Sequence, residues 1–183
     1  MKASDLPNII TFLRFLLIPP LVLLLLQRRY DTAMLVFAVA GFSDALDGYL
    51  AKRYHWTSRL GGLLDPVADK LMLVSAFVTL AWLDVLPAWL VAVIILRDVV
   101  IVTGAIIYDL RIEKLEAEPS MMSKLNTLAQ ILLILAVLFA QVFHAFPPFW
   151  MDALIYGVLG TTIWSGCDYV WTWGRRAWRR RGL

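Results

Sequence analysis

The chain has 183 residues, 61% of them hydrophobic, and a mean hydropathy of +0.73. That is more apolar than an ordinary soluble domain, in which about half the residues are apolar. The net charge of +3 reflects a terminal cluster, Arg175, Arg176, Arg179, Arg180 and Arg181. Directly after an apolar stretch, such a cluster anchors a chain to anionic headgroups, so no nucleic-acid partner is expected.

A bilayer-spanning helix needs about 20 apolar residues, and six segments qualify: 8–27, 32–51, 62–83, 87–108, 123–145 and 149–173. Asn8, Thr11 and Arg14 interrupt the start of the first segment, and no small-residue cleavage site follows it. It is therefore read as an uncleaved span rather than a signal peptide. The single cysteine, Cys167, falls in the sixth segment. It excludes an internal disulfide and has no metal-ligand spacing around it. The connections are short except at 109–122, and nothing resembles a repeat or a separate soluble domain. The expectation is one all-α polytopic membrane domain over 1–183 with six transmembrane helices.

Orientation follows from the basic residues. Lys2, Lys52, Arg53, Arg59, Arg111, Lys114, Lys124 and the five terminal arginines fall on one side, against Arg28 and Arg29 on the other. Both termini are thus expected in the cytoplasm. Trp82, Trp89, Trp150, Trp171 and Trp173 near the span ends read as interfacial anchors.

Charged residues inside such spans are informative, because each costs about 2.5–3.5 kcal/mol at the bilayer centre. Arg14, Asp44, Asp47, Asp65, Asp69, Lys70, Arg97, Asp98 and Asp168 all lie within or at the ends of apolar segments. Asp44 and Asp47 are three residues apart on the second segment, and Asp65 and Asp69 four apart on the third, so each pair shares a helix face. The pairs sit where consecutive antiparallel helices meet the basic 52–61 loop. Four carboxylates gathered there repel one another unless cations neutralise them, and hard oxygen donors favour Mg²⁺, Mn²⁺ or Ca²⁺. Two divalent ions are one such solution, and they are suited to clamping a phosphoryl group during displacement. Gly48 and Gly61 leave room for a ligand beside them, while Gly62 also suits helix packing. A cation transporter is the rival reading. It predicts acidic groups spread through the bilayer depth, whereas these gather at one face.

The segment Asp44-Ala-Leu-Asp47-Gly48-Tyr-Leu-Ala51-Lys52, followed after eight residues by Gly61, then Asp65 and Asp69, resembles the signature of the CDP-alcohol phosphatidyltransferases, D-x2-D-G-x2-A-R-x8-G-x3-D-x3-D. Lys52 is the one departure, standing where the family has Arg; it keeps the charge but not the bidentate guanidinium, which the neighbouring Arg53 can supply. The resemblance implies six spans, a homodimer and two divalent cations, Mg²⁺ or Mn²⁺, held by Asp44, Asp47, Asp65 and Asp69. It further implies Asp69 as the general base, Gly48, Ala51, Lys52 and Gly61 around the CDP group, and CDP-diacylglycerol as donor, with CMP released. In a bacterial cell the site would face the cytoplasm from the inner membrane.

The acceptor is read from other residues. Pro7-Asn8 to Arg14 resembles the opening of both phosphatidylglycerophosphate synthases and CMP-forming cardiolipin synthases. Arg97-Asp98-Val-Val-Ile and the stretch from Pro119 to Gln130 look closer to mitochondrial-type cardiolipin synthases, and Ala105 stands where glycerophosphate-using relatives tend to carry Arg. Glycerol 3-phosphate is a dianion that wants paired guanidiniums, so phosphatidylglycerol is the expected acceptor, giving cardiolipin, and glycerol 3-phosphate the alternative. Arg97, Lys124 and Arg14 are the candidate acceptor-binding residues. Arg97–Asp98 equally suits a structural ion pair, and Asn126, Thr127 and Gln130 equally suit interhelical hydrogen bonding. Asp168 has no motif partner.

Overall fold

The structure is a computed structural model that describes residues 6–54, 61–111, 121–144 and 147–181, with side chains described for 12–43, 67–104, 121–144 and 147–172. It consists of six helices: α1 Leu6–Leu26, α2 Tyr30–Tyr54, α3 Gly61–Trp82, α4 Ala88–Arg111, α5 Met121–Phe143 and α6 Pro148–Arg181. Among the described residues there is no strand.

The chain divides into two compact units, Met1–Leu86 with Ile134–Phe146, and Pro87–Leu133 with Pro147–Leu183. In the first, α1 packs against both α2 and α3. Each helix contributes a buried stripe at helical spacing: Arg14, Leu21 and Leu25 on α1, Ala33, Phe37 and Ala40 on α2, and Ala68, Met72, Ala76 and Leu80 on α3. The alanines let the backbones approach, as lipid-embedded helices require when apolar burial alone cannot drive association. Pro19 and Pro20 lie inside α1. Each removes a helical N–H, a loss tolerated in membrane helices where neighbouring helices and side chains compensate.

In the second unit α4 packs on α6. A Cβ on Gly104 would lie 3.1 Å from Cε1 of Tyr169, so the tyrosine ring occupies the space a side chain would need. Trp89 and Tyr156 add a ring contact between the same helices, with centroids 6.4 Å apart.

The outward faces of both units remain apolar. Leu23, Leu35, Val39, Leu96, Val102 and Ile163 are all exposed, a pattern that suits lipid and is wrong for water. Among the described residues α5 is the helix long and apolar enough to cross a membrane by length and composition alone; α1 and α2 offer shorter apolar stretches, Phe12–Leu26 and Tyr30–Ser43.

The helices outrun the apolar segments read from the sequence at the basic ends: α2 continues to Tyr54, α4 to Arg111 and α6 to Arg181. Apolarity marks where a chain meets lipid, but a helix stops only at a breaker, and Lys, Arg and Ala are good helix formers. The opposite ends of α1 and α3 close more sharply. Arg28 and Asp84 take left-handed backbone, with φ of 57° and 56°. The N–H groups of Arg28 and Arg29 return to Leu25 and Leu24, and those of Asp84 and Val85 to Ala81 and Leu80. Both ends are Schellman caps built without the usual glycine.

Candidate active site

Of the signature residues, Asp69 is the one whose side chain the structure describes. The helical backbone carries Asp44, Asp47, Gly48, Ala51 and Lys52 on α2, and Gly61 and Asp65 on α3; their side chains and surroundings lie outside the described residues. Among the described residues no group of three or more His, Cys, Asp or Glu is placed to hold a metal.

Asp69 sits on α3 directly after the buried Ala68, half-buried itself with its side chain 37% exposed. Its Oδ1 accepts a hydrogen bond from Nη1 of Arg14, whose side chain is 2% exposed. Arg14 lies on the α1 stripe that otherwise holds leucines, so α1 packing delivers a cation to a carboxylate 55 residues away. Arg14, a candidate acceptor-binding residue by sequence, contacts the carboxylate of Asp69, the candidate base. A partly exposed oxygen donor oriented by a fixed guanidinium fits a place beside a divalent ion, because both cations satisfy the same carboxylate.

A second polar cluster occupies the second unit. Arg97 on α4 is 8% exposed. Its Nη1 donates to Asp98 Oδ1 at 2.9 Å, and its Nη2 donates to Ser123 Oγ at 3.1 Å and to Ser165 Oγ. Asn126 on α5 is fully buried, and its Oδ1 accepts from the hydroxyls of Thr161 at 3.0 Å and Thr162 at 2.9 Å on α6. Gln130, one turn further along α5, is also buried. The network thus ties α4, α5 and α6 of this unit together. Lys124, by contrast, is exposed at the start of α5, and Asp168 is half-buried on α6.

Ser123, Thr161, Thr162 and Ser165 were not singled out from the sequence. The available signal was their spacing: Thr161, Thr162 and Ser165 recur at one helical turn on α6, as polar side chains facing another helix in lipid do. Beside this network α4 and α6 enclose an open groove of about 670 Å³. Its lining is apolar (Leu96, Val100, Ile163, Val170) apart from Arg97, Thr162 and Cys167.

Residues 4–164 match the family model described as CDP-alcohol phosphatidyltransferase. The chain is 31% identical over 188 residues to a cardiolipin synthase (CMP-forming) of Rattus norvegicus, an alignment covering 93% of this chain and 61% of that protein. A Homo sapiens protein of the same name gives 31% identity, with 93% and 62% covered. The chain therefore spans about three-fifths of the length of these mammalian relatives. It is also 38% identical over 194 residues to a CDP-diacylglycerol–glycerol-3-phosphate 3-phosphatidyltransferase of Pseudomonas fluorescens, covering 95% of this chain and 90% of that protein.

Proposed function

The chain belongs to the CDP-alcohol phosphatidyltransferase family, a membrane-integral and generally divalent-cation-dependent family, and from that premise we propose that it transfers a phosphatidyl group from CDP-diacylglycerol to phosphatidylglycerol, forming cardiolipin and CMP. Asp44, Asp47, Asp65 and Asp69 are proposed to hold two divalent cations, Mg²⁺ or Mn²⁺. Bound there, the ions would offset the negative charge of the diphosphate and of the departing CMP.

The chain's own residues perform the rest. Arg14 orients the Asp69 carboxylate through Oδ1. Asp69 takes the proton of the acceptor hydroxyl as its oxygen bonds to the lipid-bearing phosphorus. The bond from that phosphorus to the bridging oxygen breaks, and CMP departs with the electron pair. Gly48, Ala51, Lys52 and Gly61 are assigned to the CDP group, and Arg97 and Lys124 to the acceptor. In this reading the six helices all span the bacterial inner membrane as a single domain, with the site and both termini on the cytoplasmic side and the chain a homodimer.

One observation carries the choice of acceptor. Among the described residues the buried basic side chains are Arg14 and Arg97, and both already face carboxylates, Asp69 and Asp98. A dianionic glycerol 3-phosphate would need paired guanidiniums beyond these, whereas a phosphodiester carries one charge. The Pseudomonas fluorescens relative favours the second reading, glycerol 3-phosphate as acceptor giving phosphatidylglycerophosphate.

The test is direct. Purified protein receives CDP-diacylglycerol and Mn²⁺ or Mg²⁺, with phosphatidylglycerol or glycerol 3-phosphate in separate reactions, and the products are identified by mass. Cardiolipin is the expected product; phosphatidylglycerophosphate alone would reject the proposed acceptor.

A further inference from the structure

The α4–α6 groove and the network behind it have complementary requirements. The groove is apolar, and its volume of about 670 Å³ lies within the range of roughly 300–1,000 Å³ usual for ligand sites. The single charged residue in its lining is a cation, Arg97. Thr162, also in the lining, leads inward through its hydroxyl to Asn126.

Among the buried side-chain atoms of this unit without a hydrogen-bond partner among the described residues, three are amide or guanidinium N–H donors: Arg97 Nε, Asn126 Nδ2 and Gln130 Nε2. Their residues are 8%, 0% and 1% exposed. A ligand rich in acceptor oxygens would satisfy these three donors. Buried donors are rarely left without a partner. Asn126 and Gln130 lie one turn apart on the same face of α5, and Ser123 on that face receives Arg97, so the three donor residues are disposed along one face of this helix.

We propose that this half of the molecule is a binding site for an anionic phospholipid, with an acyl chain lying in the α4–α6 groove and the phosphodiester oxygens taken by Arg97, Asn126 and Gln130. The proposal rests on phosphatidylglycerol being the acceptor and identifies this site as the acceptor's seat. Exposed Lys124, next in sequence to Ser123, adds a positive charge on the same turn of α5. Glycerol 3-phosphate would fill the donor cluster and leave the groove empty; a zwitterionic lipid would bring a choline cation toward Arg97.

Cys167 reports on the groove, because it lines it, is exposed and is the chain's single cysteine. The rate of its alkylation by N-ethylmaleimide is read by intact mass on the full chain in maltoside micelles. The micelles contain phosphatidylglycerol, phosphatidylcholine of the same chains, or no added lipid with glycerol 3-phosphate in the buffer. Phosphatidylglycerol at ten times its dissociation constant should slow alkylation roughly tenfold by mass action, and the other two should leave the rate unchanged. In Asn126→Leu or Arg97→Gln protein, phosphatidylglycerol should protect no better than phosphatidylcholine. Equal protection by both lipids in the unaltered protein means ordinary bilayer lipid fills the groove, and overturns the proposal, as does protection by neither or by glycerol 3-phosphate alone. Cardiolipin formation without protection removes the site and leaves the reaction standing. Phosphatidylglycerophosphate as the sole product removes the acceptor, and with it the site's role even where protection is seen.

Discussion

Replacing Asp69 with Asn tests the Arg14–Asp69 pair through its asymmetry. Arg14 is 2% exposed and Asp69 37%, so losing the carboxylate's charge removes one partner of a buried cation, whereas losing the guanidinium leaves an anion with access to the surroundings. Two unit charges roughly 4 Å apart attract by ~4 kcal/mol at an effective dielectric of about 20. The partial exposure of Asp69 brings the expected coupling down to ~2 kcal/mol, between the values of exposed and buried pairs. Asp69→Asn should therefore cost ~2 kcal/mol or more, Arg14→Met about 1 kcal/mol, and the double variant should recover most of the first loss. The assay is reversible unfolding in mixed maltoside–SDS micelles, with all four proteins compared in a double-mutant cycle. A coupling energy below about 0.5 kcal/mol would show that the two charges do not depend on each other.

Four further outcomes are expected. Asp69→Asn should lower turnover by about 10²–10⁴-fold, the usual contribution of a general base, and a variant with unaltered turnover would remove Asp69 from that role. Chelation should abolish turnover and Mn²⁺ or Mg²⁺ restore it; activity that survives exhaustive chelation would contradict the carboxylate assignment. Asp84→Gly should stabilise the protein by about 1 kcal/mol and raise Tm by roughly 2–4 °C, because glycine adopts the left-handed cap of α3 without a Cβ penalty; a lower Tm would mean the Asp84 side chain matters more than its backbone. Gly104→Ala should cost about 1–3 kcal/mol in the same unfolding assay by crowding Tyr169, and Tyr169→Ala should remove that penalty. An additive pair would show that the cost does not come from the ring, and no cost in Gly104→Ala alone would show that the ring moves aside freely.

The helices were legible because lipid imposes long apolar segments that few other structures need, and all six appear within a few residues of their expected starts. Their basic ends were not, since Lys52 or Arg111 looks like loop in a hydropathy reading and like helix to the backbone. The spacing to Asp65 singles out Asp69, but its contact with Arg14 was not legible: nothing in Pro7–Arg14 states that Arg14 meets α3. The Arg97–Asp98 contact was foreseen as one of two options. The structure forms that pair and adds Ser123 and Ser165, and the held guanidinium also borders a groove. The Thr162–Asn126 bond escaped notice because a hydroxyl in an apolar helix is weak as a single letter and informative only once its face is known.

The Arg14–Asp69 pair also has a consequence for how the molecule is made. Its two members are 55 residues apart, and at ~5–20 residues per second the second emerges roughly 3–10 s after the first. In the six-span arrangement proposed above, α1 reaches the insertion machinery carrying an arginine that costs about 2.5–3.5 kcal/mol at the bilayer centre, before Asp69 has been synthesised. The contact with Asp69 therefore forms only once the third helix has followed the first. A nascent chain cut short before Asp69 lacks this contact altogether, so the pair that orients the site is completed only after half of the helices have been made.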